Sequence, residues 1–202
     1  LGVYSDGFLR GFATGVKGFV GGDKNADTHS WDGQAAYFMD NYSADDATNW
    51  TTSNWSQLRS INYYLDNMRN AVASDAILDH YEGVGRFFRA LFYIDKVQTF
   101  GAVPWYDTSI DATDREALFK DRDNREFVAS KILEDLDYAC TYCLTSDKYR
   151  VRASYIHRYV ALALKARFCL YEGTMRKYHA VDPSTGRAWT KDESRFYLGE
   201  CV

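Results

Sequence analysis

The longest helical pattern of the chain begins near Ile77 and runs to Val97. One stripe of apolar side chains follows helical spacing: Ile77, Tyr81, Val84, Phe88, Leu91 and Phe92. Further apolar residues widen this stripe until little of the helix surface is polar: Phe87, Tyr93, Ile94 and Val97. A helix of this kind is buried between neighbouring elements. The pattern therefore predicts an inner helix around which the fold is arranged.

Gly101 and Pro104 mark the end of this helix. Glycine can adopt the left-handed conformation that closes a helix, and a proline a few residues later prevents the helix from resuming. We therefore expect the inner helix to run into a fixed turn that carries Trp105, Tyr106 and Asp107.

Another helical pattern precedes the inner helix. It starts near Asn54, whose side chain can cap the helix while Gln57 reaches back to the cap. Its apolar face consists of Leu58, Ile61, Leu65, Met68 and Val72. The short break at residues 73–75 returns the chain antiparallel, so the two helices form a hairpin.

Two more helices are predicted after a charged connection at residues 106–124. Asp123 and Glu126 give the capping signal of the first, whose apolar stripe is Val128, Ile132, Leu136, Ala139 and Cys143. The second runs from about Ser154 to Tyr171, and Gly173 is its expected stop. Together they form a second helical hairpin.

Two hairpins about seventy residues apart predict an all-α fold of tetratricopeptide-like helical hairpins with long loop insertions. Residues 1–53 are a loop-rich N-terminal segment of the same domain, residues 54–173 the two hairpins, and residues 174–202 a loop and the start of a further helix. That last helix would leave its apolar stripe in water, so we expect an incomplete domain and a natural chain that continues.

The loop-rich segment carries isolated aromatic residues among polar ones. Such planar side chains suit sugar rings, although they also serve as loop anchors. The candidate ligand contacts are Trp31, Asn41, Tyr42 and Trp50. Aromatic residues make up 16% of the chain, which fits either carbohydrate recognition or aromatic filling of the core.

Composition limits the classes of partner. At 202 residues and 46% hydrophobic content the chain can bury a substantial core. A formal net charge of −4, without clustered Lys and Arg, argues against nucleic acid. No apolar run approaches the roughly 20 residues that span a bilayer.

Two motifs permit a metal ion. Cys140 and Cys143 form a CxxC pair, which can bind zinc or exchange thiols, but they lie within a helical pattern where packing is the simpler role. Residues 23–27 have the alternate spacing of calcium ligands, at Asp23, Asn25 and Asp27. A calcium loop needs Gly and Glu at later positions, which here are Thr28 and Gln34, so turns are the default interpretation.

Signatures of catalysis are missing from the sequence. It contains no HExxH, no GxSxG and no phosphate-binding glycine loop. Adjacent acids such as Glu134 and Asp135 point apart and cannot face one cleft. The histidines are dispersed, and we expect them at the surface or as caps: His29, His80, His157 and His179. We predict a binding protein without a cofactor, not an enzyme.

Three stretches of the chain resemble the SusD/RagB family of nutrient-binding lipoproteins. The first contains Arg89-Ala90, Tyr93, Phe100-Gly101 and Val103-Pro104, similar to the family's RA…Y…FG-x-VP signature. The second, with Ile132, Asp135, Leu136 and Ala139, is similar to its I-x-x-DL-x-x-A helix. The third, ALKARFCLYEG at residues 163–173, is similar to its A-x-x-AR-x-x-LY-x-G helix.

The resemblance implies a function and a location. Members capture oligosaccharide or polysaccharide on the outer membrane, to which a lipid anchor attaches them, and deliver it to a SusC-like TonB-dependent transporter. It also implies that the signature residues are scaffold and that no binding residue carries over by motif. A tetratricopeptide-type protein–protein interaction scaffold remains the alternative, since helical-repeat arrays commonly bind peptides.

Overall fold

A computed structural model of the chain describes residues 50–145, 155–179, 181–182 and 185–202. Within these ranges the helices are α1 (Thr52–Asn67), α2 (Asp75–Phe100), α3 (Arg115–Leu118), α4 (Arg125–Tyr142), α5 (Arg158–Tyr178) and α6 (Lys191–Glu200). A 3-10 turn at Met68–Asn70 follows α1. The same residues hold no β-strand, only isolated bridges from Val103 to Asp123 and from Val181 to Ala188. The all-α prediction is confirmed.

The chain divides into two compact units, Leu1–Gln57 and Leu58–Val202. The structure describes the first unit only at residues 50–57. Among the described helices, none combines the length and apolar character required to cross a membrane.

Helix α2 is the core of the second unit, as its sequence predicts. Phe88, Leu91 and Phe92 are 3%, 1% and 1% exposed. The beginning of the helix differs from the prediction, because Ile77 and Tyr81 are 43% and 39% exposed. The neighbouring helix α4 ends at Tyr142, opposite the second turn of α2, so the first turn of α2, which carries Ile77, extends beyond its cover.

Helices α2 and α4 pack antiparallel. Gly83, early in α2, lies so close to the end of α4 that a Cβ there would be 2.8 Å from the Cys143 sulphur. At the other end, Arg125 of α4 donates a 3.1 Å hydrogen bond to the carbonyl of Val97. The glycine therefore permits the close approach, and the arginine ties the far ends together.

The antiparallel arrangement continues through α5 and α6. Arg125 at the start of α4 binds Glu172 near the end of α5 at 2.6 Å. Lys165 in the first half of α5 binds Glu200 at the end of α6, also at 2.6 Å. Successive long helices of this unit thus alternate in direction, which is the arrangement of stacked helical hairpins.

The start and end of α1 differ from the prediction. Its cap is Thr51, whose side chain accepts from the Asn54 amide at 3.4 Å while the Asn54 side chain accepts from the Thr51 amide at 3.2 Å. Asn54 is therefore the third helical residue and not the cap, and Gln57 has no capping role. Val72, predicted on the apolar face, is fully exposed because it follows the end of the 3-10 turn.

The cap of α4 is Asn124 instead of Asp123. The Asn124 side chain accepts a 2.8 Å hydrogen bond from the Phe127 amide. Asp123 is engaged elsewhere, because its carboxylate accepts from the Trp105 amide at 2.8 Å and from Lys120 at 2.6 Å. Asp123, the predicted cap, instead stabilises the turn after α2.

Helix α5 does not stop at Gly173 and continues to Tyr178. A Cβ at Gly173 would lie 2.7 Å from Cγ of Leu198 in α6, and the Gly173 carbonyl accepts a 2.9 Å hydrogen bond from Ser194. The glycine is needed for close helix packing and not for termination. Helix α6 is then a packed helix of ten residues that begins after Thr190.

Candidate functional site

The predicted ligand contacts lie mainly outside the described residues. Trp31, Asn41 and Tyr42 lie outside the described residues, and so does the calcium-like segment at residues 23–27. Trp50 is described: it is half-buried, and its ring meets that of Trp55 edge to face with centroids 5.0 Å apart. Trp50 thus has a fixed neighbour directly before the Thr51 cap, and its role as a ligand contact stays a prediction.

A buried ion pair joins two of the sequence signatures. Arg89 of α2 and Asp135 of α4 form two hydrogen bonds of 2.7 Å each. Burial alone would lower the pKa of Arg89, but the bonds to Asp135 outweigh it, so the pKa rises. Burial raises the pKa of Asp135 despite the opposing hydrogen bond from Arg89. Arg89 also donates to the Asp107 carbonyl at 2.8 Å, which attaches the turn after α2 to the helices.

Tyr93 holds the same turn from inside. Its hydroxyl donates to the Pro104 carbonyl at 3.2 Å and accepts from the Tyr106 amide at 2.7 Å. Its ring stacks on Trp105 with centroids 4.2 Å apart. Burial is the main reason that the pKa of Tyr93 is raised, so it remains a neutral hydroxyl. Together with Gly101, whose φ is 72°, these residues build the fixed turn that the sequence predicts.

A second buried charge cluster joins α4 to α5. Glu172, fully buried, binds Arg125 at 2.6 Å and Arg176 at 3.2 Å. Arg176 also binds Glu126. Sequence reasoning missed this cluster, and the available signal was the placement of charged residues inside otherwise apolar helical stripes. Buried charges are retained when they are paired, so these residues act as scaffold.

A polar cleft of about 340 Å³ opens where α1, α2, α4 and the turn after α2 meet. Its uncharged lining residues are Leu65, Trp105 and Thr108. Its cations are Arg69, Arg86, Arg89 and Lys131. Its carboxylates are Asp66, Glu82, Asp107, Glu134 and Asp135. We call this set of residues the polar cleft.

Ion pairs within the protein engage all four cations of the polar cleft. Glu82 binds Arg69 at 2.5 Å and Arg86 at 2.8 Å, and Lys131 binds Glu134 at 2.8 Å. Burial pushes the pKa of Glu82 upward, but the hydrogen bonds from Arg86 and Arg69 outweigh it and hold the pKa below its usual value. Glu82 is therefore held in its charged form, and the paired groups largely neutralise one another.

Trp105 is a buried polar residue in the lining of the cleft. The residue is 6% exposed, and its indole N–H has no hydrogen-bond partner among the described residues. One side of the ring is stacked on Tyr93, and the Arg89 guanidinium lies 5.4 Å from the ring centroid. Trp105 therefore lines the cleft while its own indole N–H is buried and unpaired among the described residues.

His80 and Cys143 are buried in the described part of the chain. His80 is buried, contrary to the expectation of a surface or capping residue, and its Nδ1 accepts from the Leu144 amide at 3.1 Å. Burial lowers the pKa of His80, so it is neutral at physiological pH. Burial also raises the pKa of Cys143 to about 12, which makes its thiol unreactive. Among the described residues, no group of three or more His, Cys, Asp or Glu could hold a metal ion.

Comparison with known proteins gives matches among solved structures. No protein-family model and no curated protein sequence matches the chain. A SusD-like protein from Bacteroides fragilis matches 73% of this chain and 25% of its own, with a TM-score of 0.53 at 20% identity. A SusD-like carbohydrate binding protein from Bacteroides vulgatus matches 73% of this chain and 29% of its own, with a TM-score of 0.51 at 18% identity.

A laminarin-binding SusD-like protein matches 64% of this chain and 27% of its own, with a TM-score of 0.52 at 19% identity. The chain thus has the helical fold of SusD-like proteins, and the resemblance seen in the sequence is confirmed at the level of fold. It spans about a quarter of the length of these structures.

Proposed function

We propose that this chain is the helical scaffold part of a glycan-binding protein that captures oligosaccharide or polysaccharide. The observation that carries the proposal is the backbone match to SusD-like structures, one of them named for laminarin binding and another for carbohydrate binding.

The role of the signature residues as scaffold supports this proposal. The signature residues Arg89, Tyr93 and Asp135 are engaged with one another or with the backbone, and they support the turn after α2. A rigid scaffold of this kind can hold loops whose planar side chains stack on sugar rings. We propose that Trp31, Asn41, Tyr42 and Trp50 supply these contacts.

We further propose that the protein acts by binding and delivery instead of chemistry. It would sit on the cell surface, attached to the outer membrane through a lipid anchor, and pass its ligand to a SusC-like TonB-dependent transporter. Capture from detergent-solubilised outer membranes, with the chain immobilised, tests the partner. We expect a TonB-dependent transporter in the eluate. Its absence when the immobilised chain is in excess would contradict delivery to such a transporter.

The glycan proposal is tested by screening the chain against an array of oligosaccharides and polysaccharides. We expect saturable binding to a related group of glycans, retained after the exposed Tyr178 is changed to Ala. A chain that binds no glycan but captures a soluble protein through its helices would contradict the proposal and favour the protein–protein interaction scaffold. Release of reducing ends from a bound glycan would contradict the assignment as a non-enzyme.

A further inference from the structure

We propose that the polar cleft is a binding site for one neutral sugar ring, separate from the loop-borne aromatic residues. This site lies on the helical scaffold, within the unit Leu58–Val202. The choice of a sugar among neutral hydroxyl-rich molecules rests on the proposed function, whereas the choice of a neutral ligand rests on the cleft itself.

The size of the cleft sets the first limit. Its volume of about 340 Å³ is near the lower end of small-molecule sites, which run from roughly 300 to 1,000 Å³. A long oligosaccharide could therefore place only a terminal unit in it. A single ring with several hydroxyl groups is the class of ligand that fits both the volume and the polar lining.

The charges of the cleft set the second limit. An anionic ligand would have to compete with Glu82 for Arg69 and Arg86. A cationic ligand would lie beside the guanidinium groups of the arginines that line the cleft. A hydroxyl group both donates and accepts, so it can bind a carboxylate and a guanidinium together without breaking an ion pair. The ion-paired lining therefore favours a neutral, hydroxyl-rich ligand.

Trp105 supplies the third observation. A buried donor without a partner is uncommon in folded proteins, and it is usually satisfied by water or a ligand. Tyr93 and Arg89 lie against the Trp105 ring, so the ring has no open face for a ligand. In the proposed complex the N–H, which is buried in the free chain, binds the sugar. A sugar hydroxyl oxygen is a suitable acceptor for that N–H.

Asp107 supplies a complementary acceptor. It lines the cleft and is exposed, while its backbone carbonyl, and not its side chain, receives the hydrogen bond from Arg89. Substitution of its side chain thus leaves that structural contact in place. Asp107→Ala is therefore a variant that changes the cleft without removing a support of the fold.

The proposal is tested by nuclear magnetic resonance titration of the full 202-residue chain with neutral monosaccharides such as glucose, galactose, mannose and xylose. The chain has five Trp, so its indole N–H resonances are few and the Trp105 signal can be assigned with Trp105→Phe. We expect at least one neutral sugar to shift that signal saturably. Glucuronate and glucosamine, which are charged sugars, should shift the Trp105 signal much less than that neutral sugar.

Asp107→Ala should weaken the affinity for that sugar about tenfold, the effect of losing a hydrogen bond to a charged group. The matched control is Asp121→Ala, an exposed acid outside the cleft, which should leave affinity unchanged. A Trp105 signal that no neutral sugar moves, or one that charged sugars move equally, would overturn the proposal.

The two sites can fail independently. In a Trp31→Ala/Trp50→Ala double variant the monosaccharide titration of Trp105 should persist. If this variant loses glycan binding, the proposed function stands. If the Trp105 signal of the parent also never shifts with a monosaccharide, the cleft site is overturned. A saturable Trp105 shift in a chain whose array binding is insensitive to both loop tryptophans would support the cleft and contradict the loop contacts.

Discussion

Arg89 and Asp135 place opposite charges in a part of the molecule from which water is largely excluded. Each would be costly to bury alone, and their two 2.7 Å hydrogen bonds offset that cost. The sequence shows both residues within helical signatures, yet their pairing spans 46 positions and depends on how α2 packs on α4. The helices that carry Arg89 and Asp135 were therefore predictable from the sequence, but the pairing of these two residues was not.

Asp135→Asn should lower the free energy of unfolding by about 3 kcal/mol, because it leaves the Arg89 guanidinium buried without its counter-charge. The neighbouring Glu134→Gln should lower it by less than about 1 kcal/mol, since the Glu134–Lys131 pair is largely exposed. Urea denaturation followed by circular dichroism measures both. Equal effects of the two substitutions would show that the buried pair does not stabilise the scaffold.

The helices themselves were largely predictable, and their ends were less so. Hydrophobic spacing predicted α2 because burial of apolar side chains is the main driving force for the packing of a helix. Caps were harder, because Asp123 and Asn124 are both good capping residues and only the tertiary contact of Asp123 with Trp105 decides between them. Gly173 likewise resembles a stop signal until the position of Leu198 is known.

Gly173→Ala should destabilise the protein, because the added methyl group would meet Leu198 side-chain atoms at 2.7 and 2.8 Å and its backbone nitrogen at 3.0 Å. Overpacking costs typically 1–3 kcal/mol, and the higher helix propensity of Ala returns about 1 kcal/mol of this. Gly199 of α6 is the matched control, since a Cβ there meets nothing within 4 Å. Gly199→Ala should keep or slightly raise stability in the same denaturation assay; a loss as large as that of Gly173→Ala would contradict the packing explanation.

The cap of α6 should make stability depend on pH. Burial raises the pKa of Glu193, but hydrogen bonds from the Thr190 amide, Arg187 and the Thr190 hydroxyl outweigh it, and the pKa falls from 4.5 to about 2. Because the folded-state pKa is the lower one, this stabilisation is complete above about pH 4.5 and is lost as the pH falls toward 2.

Glu193→Gln should therefore flatten the decline in the free energy of unfolding between these two pH values, while a Gln side chain can still accept from the Thr190 amide. Glu116→Gln, at an exposed position of α3, is the control and should leave the decline as in the parent. Thermal denaturation across this pH range gives the comparison. A decline as steep in Glu193→Gln as in the parent would contradict the role of the Glu193 charge.

At the scale of the whole molecule, a stack of antiparallel helices was predictable from periodicity, and the signatures identified the right fold. The polar cleft was not predictable, because its walls come from residues between 65 and 135 that only the packing of three helices and one turn brings together. The loop contacts were predicted from residue type alone, since glycan recognition depends on loop geometry that periodicity does not encode.

The central claim is that loop-borne aromatic residues recognise a glycan while the helical scaffold supports them. Isothermal titration of the chain with its best glycan from the array, before and after Trp50→Ala, tests it most directly, with Tyr178→Ala as the control. We predict that Trp50→Ala weakens binding at least about tenfold, or about 1.4 kcal/mol, while Tyr178→Ala leaves binding unchanged. Unchanged affinity in Trp50→Ala and Trp31→Ala, for a glycan that the parent binds, would contradict the claim.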